Sequence, residues 1–415
     1  MKHLVFVEAS ATGAGEIAVQ RAKHRGYRVT LLTRAPETQP IDIIQHCDVV
    51  ESVETNDFAA LAEAVRLVNE KFPIDGVTTT ADWYVPQAAE VCHQLNLPGM
   101  KPHAAHAARN KLQTRLRLQK THPELNPRFA VAGADDAWRK VAEWNLPFIA
   151  KPQNADGGEG VKLIASRNEL TDYMDMFASW HRNAAAQLLA REVLLEEFIA
   201  GDEFSVETVQ AVGGPLQLIG VTRKHLTGAK RGRFVEAGHA FPEESNVEEL
   251  LFQATQACLE AMEIDCGVIH TECRLTADGQ IKIMEVNPRL AGDKIGSHLV
   301  EIATGVSTLD AVIDVAIGEP VNWQPRLSRG AALRFIYSDR DAIFAGVLNR
   351  EELLKMPGVL DIFDVAIPGT RAVAPESNKD RLAVIVSEAE SANEAYDTAC
   401  RAASRAEFLQ MSGAS

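Results

Sequence analysis

Gly267-Val268-Ile269-His270-Thr271-Glu272-Cys273-Arg274-Leu275-Thr276-Ala277-Asp278-Gly279-Gln280-Ile281-Lys282-Ile283-Met284-Glu285-Val286-Asn287-Pro288-Arg289-Leu290-Ala291-Gly292-Asp293 is the stretch on which the reading of this chain turns. Two apolar runs flank Asp278-Gly279, a dipeptide that favours a two-residue hairpin turn. With that turn, Ala277 faces Gln280. Counting outward sets Glu272 opposite Glu285 and His270 opposite Asn287. All four share one face, because strand side chains alternate. Opposed Cβ atoms lie roughly 4.5–5.5 Å apart, so two carboxylates there repel unless a cation or proton intervenes. Such an oxygen-rich group suits Mg²⁺, often held by one or two carboxylates together with substrate phosphates. The expectation is a metal–nucleotide site.

The rest of the composition narrows the function class. A chain of 415 residues has room for two or three domains, and 46% hydrophobic residues can fill their cores. A net charge of −15 argues against a nucleic-acid partner, which calls for a basic surface. The six cysteines form no Cys-x-x-Cys pair, so neither a zinc site nor a disulfide framework is expected. Free thiols suit a reducing cytoplasm. No apolar run approaches ~18 residues, so no membrane span is expected. The chain starts directly with a strand-like run and shows no signal-peptide pattern. The expected location is the cytoplasm.

Strand-like runs at 3–7, 28–33, 47–53 and 76–80 alternate with helical segments at 16–24 and 57–71. That order predicts a doubly wound parallel α/β domain over residues 1–105. A middle domain, 106–325, holds a polar helix at 110–120, strands near 127–131, 147–152, 192–195 and 203–210, a helix at 247–262 and the acidic hairpin. Its 222–242 segment, rich in Gly, Lys and Arg, reads as a long polar loop. Residues 326–415 form a third, α+β unit, with strands at 330–337 and 382–386 and helices at 351–355 and 392–406.

Three further constellations carry possible chemistry. Gly13-x-Gly15-x-x-Ala18 follows a strand and opens a helix, as in a dinucleotide fingerprint. The second strand, however, ends at Thr33-Arg34, where an NAD site carries Asp or Glu. Arg34 would have to meet a 2′-phosphate instead. The competing reading is a tight turn with no ligand, or one facing a substrate carboxylate. The second constellation is Lys151 followed by Gly157, Gly158 and Gly160. The glycines leave N–H groups free to cradle phosphate oxygens, and the lysine adds a point charge. A flexible hairpin tip is the alternative. The third is Glu196 to Glu203, a strand edge entering a turn. It offers an acceptor and a backbone donor to an adenine ring, or is merely an acidic turn.

Taken in this order, these pieces resemble the ATP-grasp superfamily over about residues 1–410. The resemblance implies an ATP-grasp fold, α/β and α+β, with an N-terminal doubly wound α/β domain, a mobile lid subdomain at about 127–195 and a C-terminal α+β lobe. Lys111 matches the first ATP-binding lysine, although Asn110 precedes it where the family often has Asp. Lys151 matches the second. Glu196 matches the carboxylate that meets the adenine amino group, Ile199 its backbone contact and Glu203 the ribose ligand. Glu272, Glu285 and Asn287 match the Mg²⁺ ligands. Arg289 resembles the arginine that steadies the transferred phosphate.

Within the superfamily the chain looks most like the L-amino-acid ligase branch. Arg289 to Asp293 resembles its Arg-x-x-Gly-Asp run, and Phe234-Val235-Glu236-Ala237-Gly238-His239 its Phe-x-Glu-x-Gly-His segment. The lobe from Gly330, with Pro357-Gly358-Val359, resembles its C-terminal subdomain. Biotin-carboxylase-type enzymes share the fold, but this chain has no Met-Lys-Met biotin site. The implied activity is ATP-dependent amide formation between a carboxylate and an amine, amino acids in this branch, through an acyl phosphate. The implied cofactors are ATP and two Mg²⁺ ions, with Mn²⁺ as a substitute, and a homodimer is common in similar proteins. His239 would hydrogen-bond the same anion as Arg289, or else pack on Phe241. The 157–160 and 222–242 loops are the expected lids. Open alternatives are a ligase for another carboxylate, such as a siderophore or antibiotic precursor, a nicotinamide oxidoreductase, and a non-catalytic nucleotide-binding module.

Overall fold

The computed structural model describes residues 1–10, 13–227, 235–338, 342–372, 375 and 377–408. Strands β1 (His3–Val7), β2 (Arg28–Thr33), β3 (Val49–Ser52) and β4 (Gly76–Thr78) form a parallel sheet in the order β3-β2-β1-β4. β1 is buried along its whole length, as expected of a parallel strand covered on both faces. Asp57 starts the helix Phe58–Lys71 by accepting from the Ala59 and Ala60 N–H groups. The helices Val85–Leu95 and Pro102–Ala108 complete this part.

The glycine motif here has a structural explanation. Gly13 has φ +98°, which glycine tolerates, and a Cβ on Gly15 would run into the backbone of Ser10. At the end of β2, the Glu8 carboxylate accepts from Thr33 Oγ1 (2.5 Å), Thr55 Oγ1 (2.7 Å) and the Arg34 N–H (2.8 Å). The end of β2 is thus held by the protein's own carboxylate. This favours the tight-turn reading.

A second, antiparallel sheet contains β5 (Phe129–Ala132), β6 (Phe148–Pro152), β7 (Lys162–Ile164) and β8 (Val193–Glu197), ordered β5-β8-β6-β7. It has its own small core around Phe148, Tyr173 and Phe177, supplied partly by the helix Arg167–Ala178.

The largest sheet holds β9 (Asp202–Gln210), β10 (Gln217–Thr227), β11 (Val235–Phe241), β12 (Gly267–Leu275), β13 (Ile281–Asn287), β14 (Gly330–Ile336), β16 (Val359–Asp364) and β18 (Ala383–Ala389). Its order is β13-β12-β9-β10-β11-β14-β18-β16. The C-terminal strands therefore extend the same sheet that carries the hairpin. β15 (Ala342–Ile343) and β17 (Arg371–Ala372) pair separately.

Two expectations need correction. The 222–242 segment is mostly the β10–β11 pair, not a loop. Residues 228–234, and with them Phe234, lie outside the described residues. The alternation was hidden because the inward face of this pair carries Lys224 and His239 in place of apolar side chains. The hairpin turn also has three residues rather than two. The Thr276 N–H donates to the Gln280 carbonyl and the Gly279 N–H to the Thr276 carbonyl, both at 2.9 Å, with Gly279 at φ +82°. A bulge at Met284 then restores the count, so Glu272 still faces Glu285 and His270 still faces Asn287. The bulge turns two successive carbonyls, Ile283 and Met284, toward the Arg115 guanidinium at 2.8 and 2.9 Å.

Candidate active site

One face of the large sheet gathers the polar residues. Across β13, β12, β9 and β10, Glu285 pairs with Glu272, Glu272 with Ser205, and Ser205 with Thr222. One step along, Arg274, Glu203, Lys224 and His239 form a second row. The Lys224 ammonium lies 2.7 Å from Glu236, 2.9 Å from Glu272 and 3.2 Å from Glu203. Burial works against its charge, but these three carboxylates hold its pKa well above the ordinary lysine value. Lys111 Nζ lies 2.9 Å from Glu285 and donates to the Ala155 carbonyl at 2.8 Å. Each of the two opposed carboxylates thus has its own lysine. Their repulsion is offset without a metal, so the strain expected from the register does not by itself call for one.

The better pointer is Asn287. It is 3% exposed, and its buried Oδ1 has no hydrogen-bond partner. An unsatisfied buried acceptor costs about 1–3 kcal/mol, which a cation at that oxygen would offset. Glu272, Glu285 and Asn287 offer only oxygens, the donor set of a hard divalent ion. The residues present fit Mg²⁺.

Behind Glu272 sits a buried pair, His270 and Glu207, to which no sequence motif assigns a role. His270 Nδ1 lies 3.0 Å from both Glu207 carboxylate oxygens, and Nε2 lies 3.2 Å from Glu272 Oε1. Ser205 Oγ donates to Glu207 at 2.8 Å. Burial would lower the His270 pKa, but Glu207 and Glu272 raise it to about 9. Glu272 in turn is held well below the carboxylate range, with Lys224 and His270 outweighing its burial. The visible signal was the polar alternation Glu203, Ser205, Glu207 in β9.

At the other end of the face, Lys151, Glu196 and Arg115 are buried together. The Glu196 carboxylate lies 2.5 Å from Arg115 Nε and 2.7 Å from Lys151 Nζ. These cations overcome its burial and push its pKa down to about 2. The Lys151 pKa is lowered, first by burial and then by Arg115 and Lys111, although Glu196 opposes the shift. The side chain matched to the adenine amino group is therefore ion-paired here. The Ile199 carbonyl accepts from Arg274 at 2.7 Å, and Glu203 binds Arg274 as well as Lys224. Gly157, Gly158 and Gly160 all have φ between +60° and +75°, which explains three glycines in four positions. Asn110 caps the helix Lys111–Thr121 through the Leu112 and Gln113 N–H groups. Asn and Asp cap equally well, so the departure from Asp leaves Lys111 in place.

Arg289, just past β13, donates from Nε to Asp82 at 2.9 Å and from Nη1 to the Leu290 carbonyl at 2.9 Å. Asp82 belongs to the turn after β4 and also pairs with Arg109. Burial would raise the Asp82 pKa, but Arg109, Arg289 and Lys111 hold it below the ordinary value. The Asp156 pKa is raised by its burial and by Asp82. No motif singled out Asp82, because the register that brings it to Arg289 is set between domains.

His239 is fully buried on β11. Its Nε2 lies 3.5 Å from Asp293 and 3.9 Å from Glu236, and its ring meets Phe335 edge-on rather than the expected Phe241. Arg381 reaches in from the C-terminal strands, 2.8 Å from Asp293 and 2.6 Å from Glu236.

Three family models match in the same order as these elements. An ATP-grasp N-terminal domain matches residues 19–99, an ATP-grasp domain 144–297, and an L-amino acid ligase C-terminal domain 2 matches 334–409. The chain thus carries an ATP-grasp domain, with an ATP-grasp N-terminal domain before it and an L-amino acid ligase C-terminal domain after it. The crystal structure of an L-amino acid ligase from Bacillus licheniformis superposes on this ATP-grasp protein with a TM-score of 0.82, covering 99% of both chains at 21% identity. An N5-carboxyaminoimidazole synthetase from Staphylococcus aureus, complexed with ADP, gives 0.74 over 97% of each chain at 14% identity. Among curated proteins, an uncharacterized protein of Sinorhizobium fredii is 28% identical over 95% of this chain and 80% of its own length. Human carnosine synthase 1 is 26% identical over 74% of this chain, but only 39% of that enzyme is matched. The alanine–anticapsin ligase of Bacillus amyloliquefaciens is 22% identical, covering 61% of this chain and 56% of that one. The chain thus spans well under two thirds of either of these ligases. Its resemblance is to carboxylate–amine ligases of the L-amino-acid ligase branch. No helix among the described residues is long and apolar enough to cross a membrane.

Proposed function

We propose that this ATP-grasp protein is an ATP-dependent carboxylate–amine ligase that joins amino acids through an acyl phosphate. The observation that carries the reading is the placement of Arg289 immediately after a strand bearing Glu285 and the unpartnered Asn287, with Glu272 opposite. Mg²⁺ ions, two by analogy with the superfamily and replaceable by Mn²⁺, would neutralise phosphate charge at Glu272, Glu285 and Asn287.

The chain's own residues do the rest. Lys111 and Lys151 contribute point charges to the phosphates, and Gly157, Gly158 and Gly160 contribute N–H groups. Glu203 receives the ribose, and the Glu196–Ile199 segment receives the base. A carboxylate oxygen attacks the γ-phosphorus, and the bond to the ADP oxygen breaks. The planar fork of Arg289 grips the resulting acyl phosphate. An amine then attacks the acyl carbon, phosphate leaves, and the amine nitrogen loses a proton. Phosphoryl transfer chiefly needs positioning and charge neutralisation, which this face supplies. His239, the other candidate for the anion, is fully buried beside Asp293 and Phe335.

Pairwise supply of the twenty amino acids with ATP and Mg²⁺, read by phosphate release, tests this. ADP and phosphate should form only when a carboxylate and an amine are both present. Silence from every pair would remove proteinogenic amino acids as the substrates.

A further inference from the structure

A cavity of about 100 Å³ lies beside Arg289, between the helix Val85–Leu95, the start of β12, the end of β13 and the helix Thr308–Ala316. Its walls include Val85, Ala89, Val268, Leu290 and Val312. Thr78, Thr79 and Arg289 are the polar side chains of its lining. Cys92 and Cys266 also face it, and burial pushes each thiol up to about 12, so both are neutral. The pocket is partly open to solvent, and it is bounded by the residue proposed to hold the acyl phosphate.

We infer that this cavity receives the side chain of the carboxylate substrate, and that the substrate is a small aliphatic amino acid. The inference rests on the ligase reading above. A carboxylate held at Arg289 must direct its substituent somewhere, and apart from Arg289 the lining of this pocket carries no charged side chain. Size sets the class. An apolar cavity of about 150 Å³ takes a benzene ring; the roughly 100 Å³ here suits a branched chain of three or four carbons better than an aromatic ring. One methylene too many in a tight pocket changes the rate by roughly 10–200-fold.

The test varies the acid while the amine is an amino-acid amide, which has no free carboxylate to activate. Wild-type enzyme should release phosphate best with alanine, valine or leucine and at least roughly tenfold more slowly with phenylalanine. Ala89→Val should depress leucine while sparing alanine, and Val312→Ala should shift preference to larger chains. If Ala89→Val instead raises the unfolding temperature with an unchanged preference, the cavity is a packing void and the inference is wrong. A second reading does not depend on turnover: thermal protection by valine in the presence of MgADP should appear in wild type and be weakened in Ala89→Val. Phosphate release with no preference by size defeats the pocket alone. Absence of phosphate release with every acid defeats the ligase reading, and absence of protection by any aliphatic acid then defeats the pocket as well.

Discussion

Lys111 Nζ sits 2.9 Å from Glu285 Oε1, although the two residues are 174 positions apart. One opens a helix next to the glycine loop, and the other lies on β13, on the side proposed to face the metal. The contact joins the proposed phosphate end of the face to its proposed metal end. Glu285→Ala should abolish Mg²⁺-dependent ADP release while the circular dichroism spectrum stays native. An unchanged rate would remove Glu285 from the metal site.

Glu207 and His270 should act on the metal only through Glu272. Glu207→Gln keeps the shape but frees the imidazole that now fixes Glu272. Partners of this kind alter metal affinity by about 10–100-fold. Mn²⁺ binding, followed by electron paramagnetic resonance without turnover, should weaken by that order while ATP KM at saturating metal stays put. Equal Mn²⁺ affinity in both proteins would assign the pair a purely structural role.

Asp82 anchors Arg289 from another domain. Asp82→Asn removes the carboxylate charge that Arg109 and Arg289 share, leaving Arg289 the more distant Asp156 at 3.9 Å. Breaking one side of a buried ion pair costs about 3–5 kcal/mol, so the unfolding midpoint should drop. Single-turnover phosphoryl transfer should fall further than ATP binding does, and Asp82→Glu should recover part of it. Full transfer in a stable Asp82→Asn protein would contradict the anchoring role.

Acid sensitivity should come from histidines buried in the neutral form. Burial pushes the pKa of His298 and of His225 down to about 4, against about 6.5 unfolded. Between these values the unfolded chain binds more protons than the folded one, so stability falls as pH drops from about 6.5 toward 4. Above that window the groups contribute no pH dependence. Denaturant midpoints at pH 7.5 and 5.0 should differ, and His298→Phe should narrow the difference. An unaltered difference would shift the effect to other groups.

Much of this was legible in residue order. The β1 to β4 alternation is local, and the Glu272–Glu285 pairing survived an error because the three-residue turn and the Met284 bulge cancel. The β10–β11 pair was illegible for a physical reason: its inward face is a charged floor, so Lys224 and His239 stand where apolar residues would mark a strand. Asp82, Arg115 and Arg381 were missed because each works across a boundary between separately folded elements. No local pattern encodes such a meeting. His270 and Glu207 were visible as residues, but their link through Glu272 depends on the register of three strands.

The acyl-phosphate route requires that a carboxylate oxygen attack the γ-phosphorus. A substrate acid labelled with oxygen-18 in its carboxylate, with ATP, Mg²⁺ and an amine, gives the most direct measurement. Mass spectrometry of the released phosphate should show one labelled oxygen per amide formed. Unlabelled phosphate accompanying amide formation would contradict the acyl-phosphate route and the role given to Arg289.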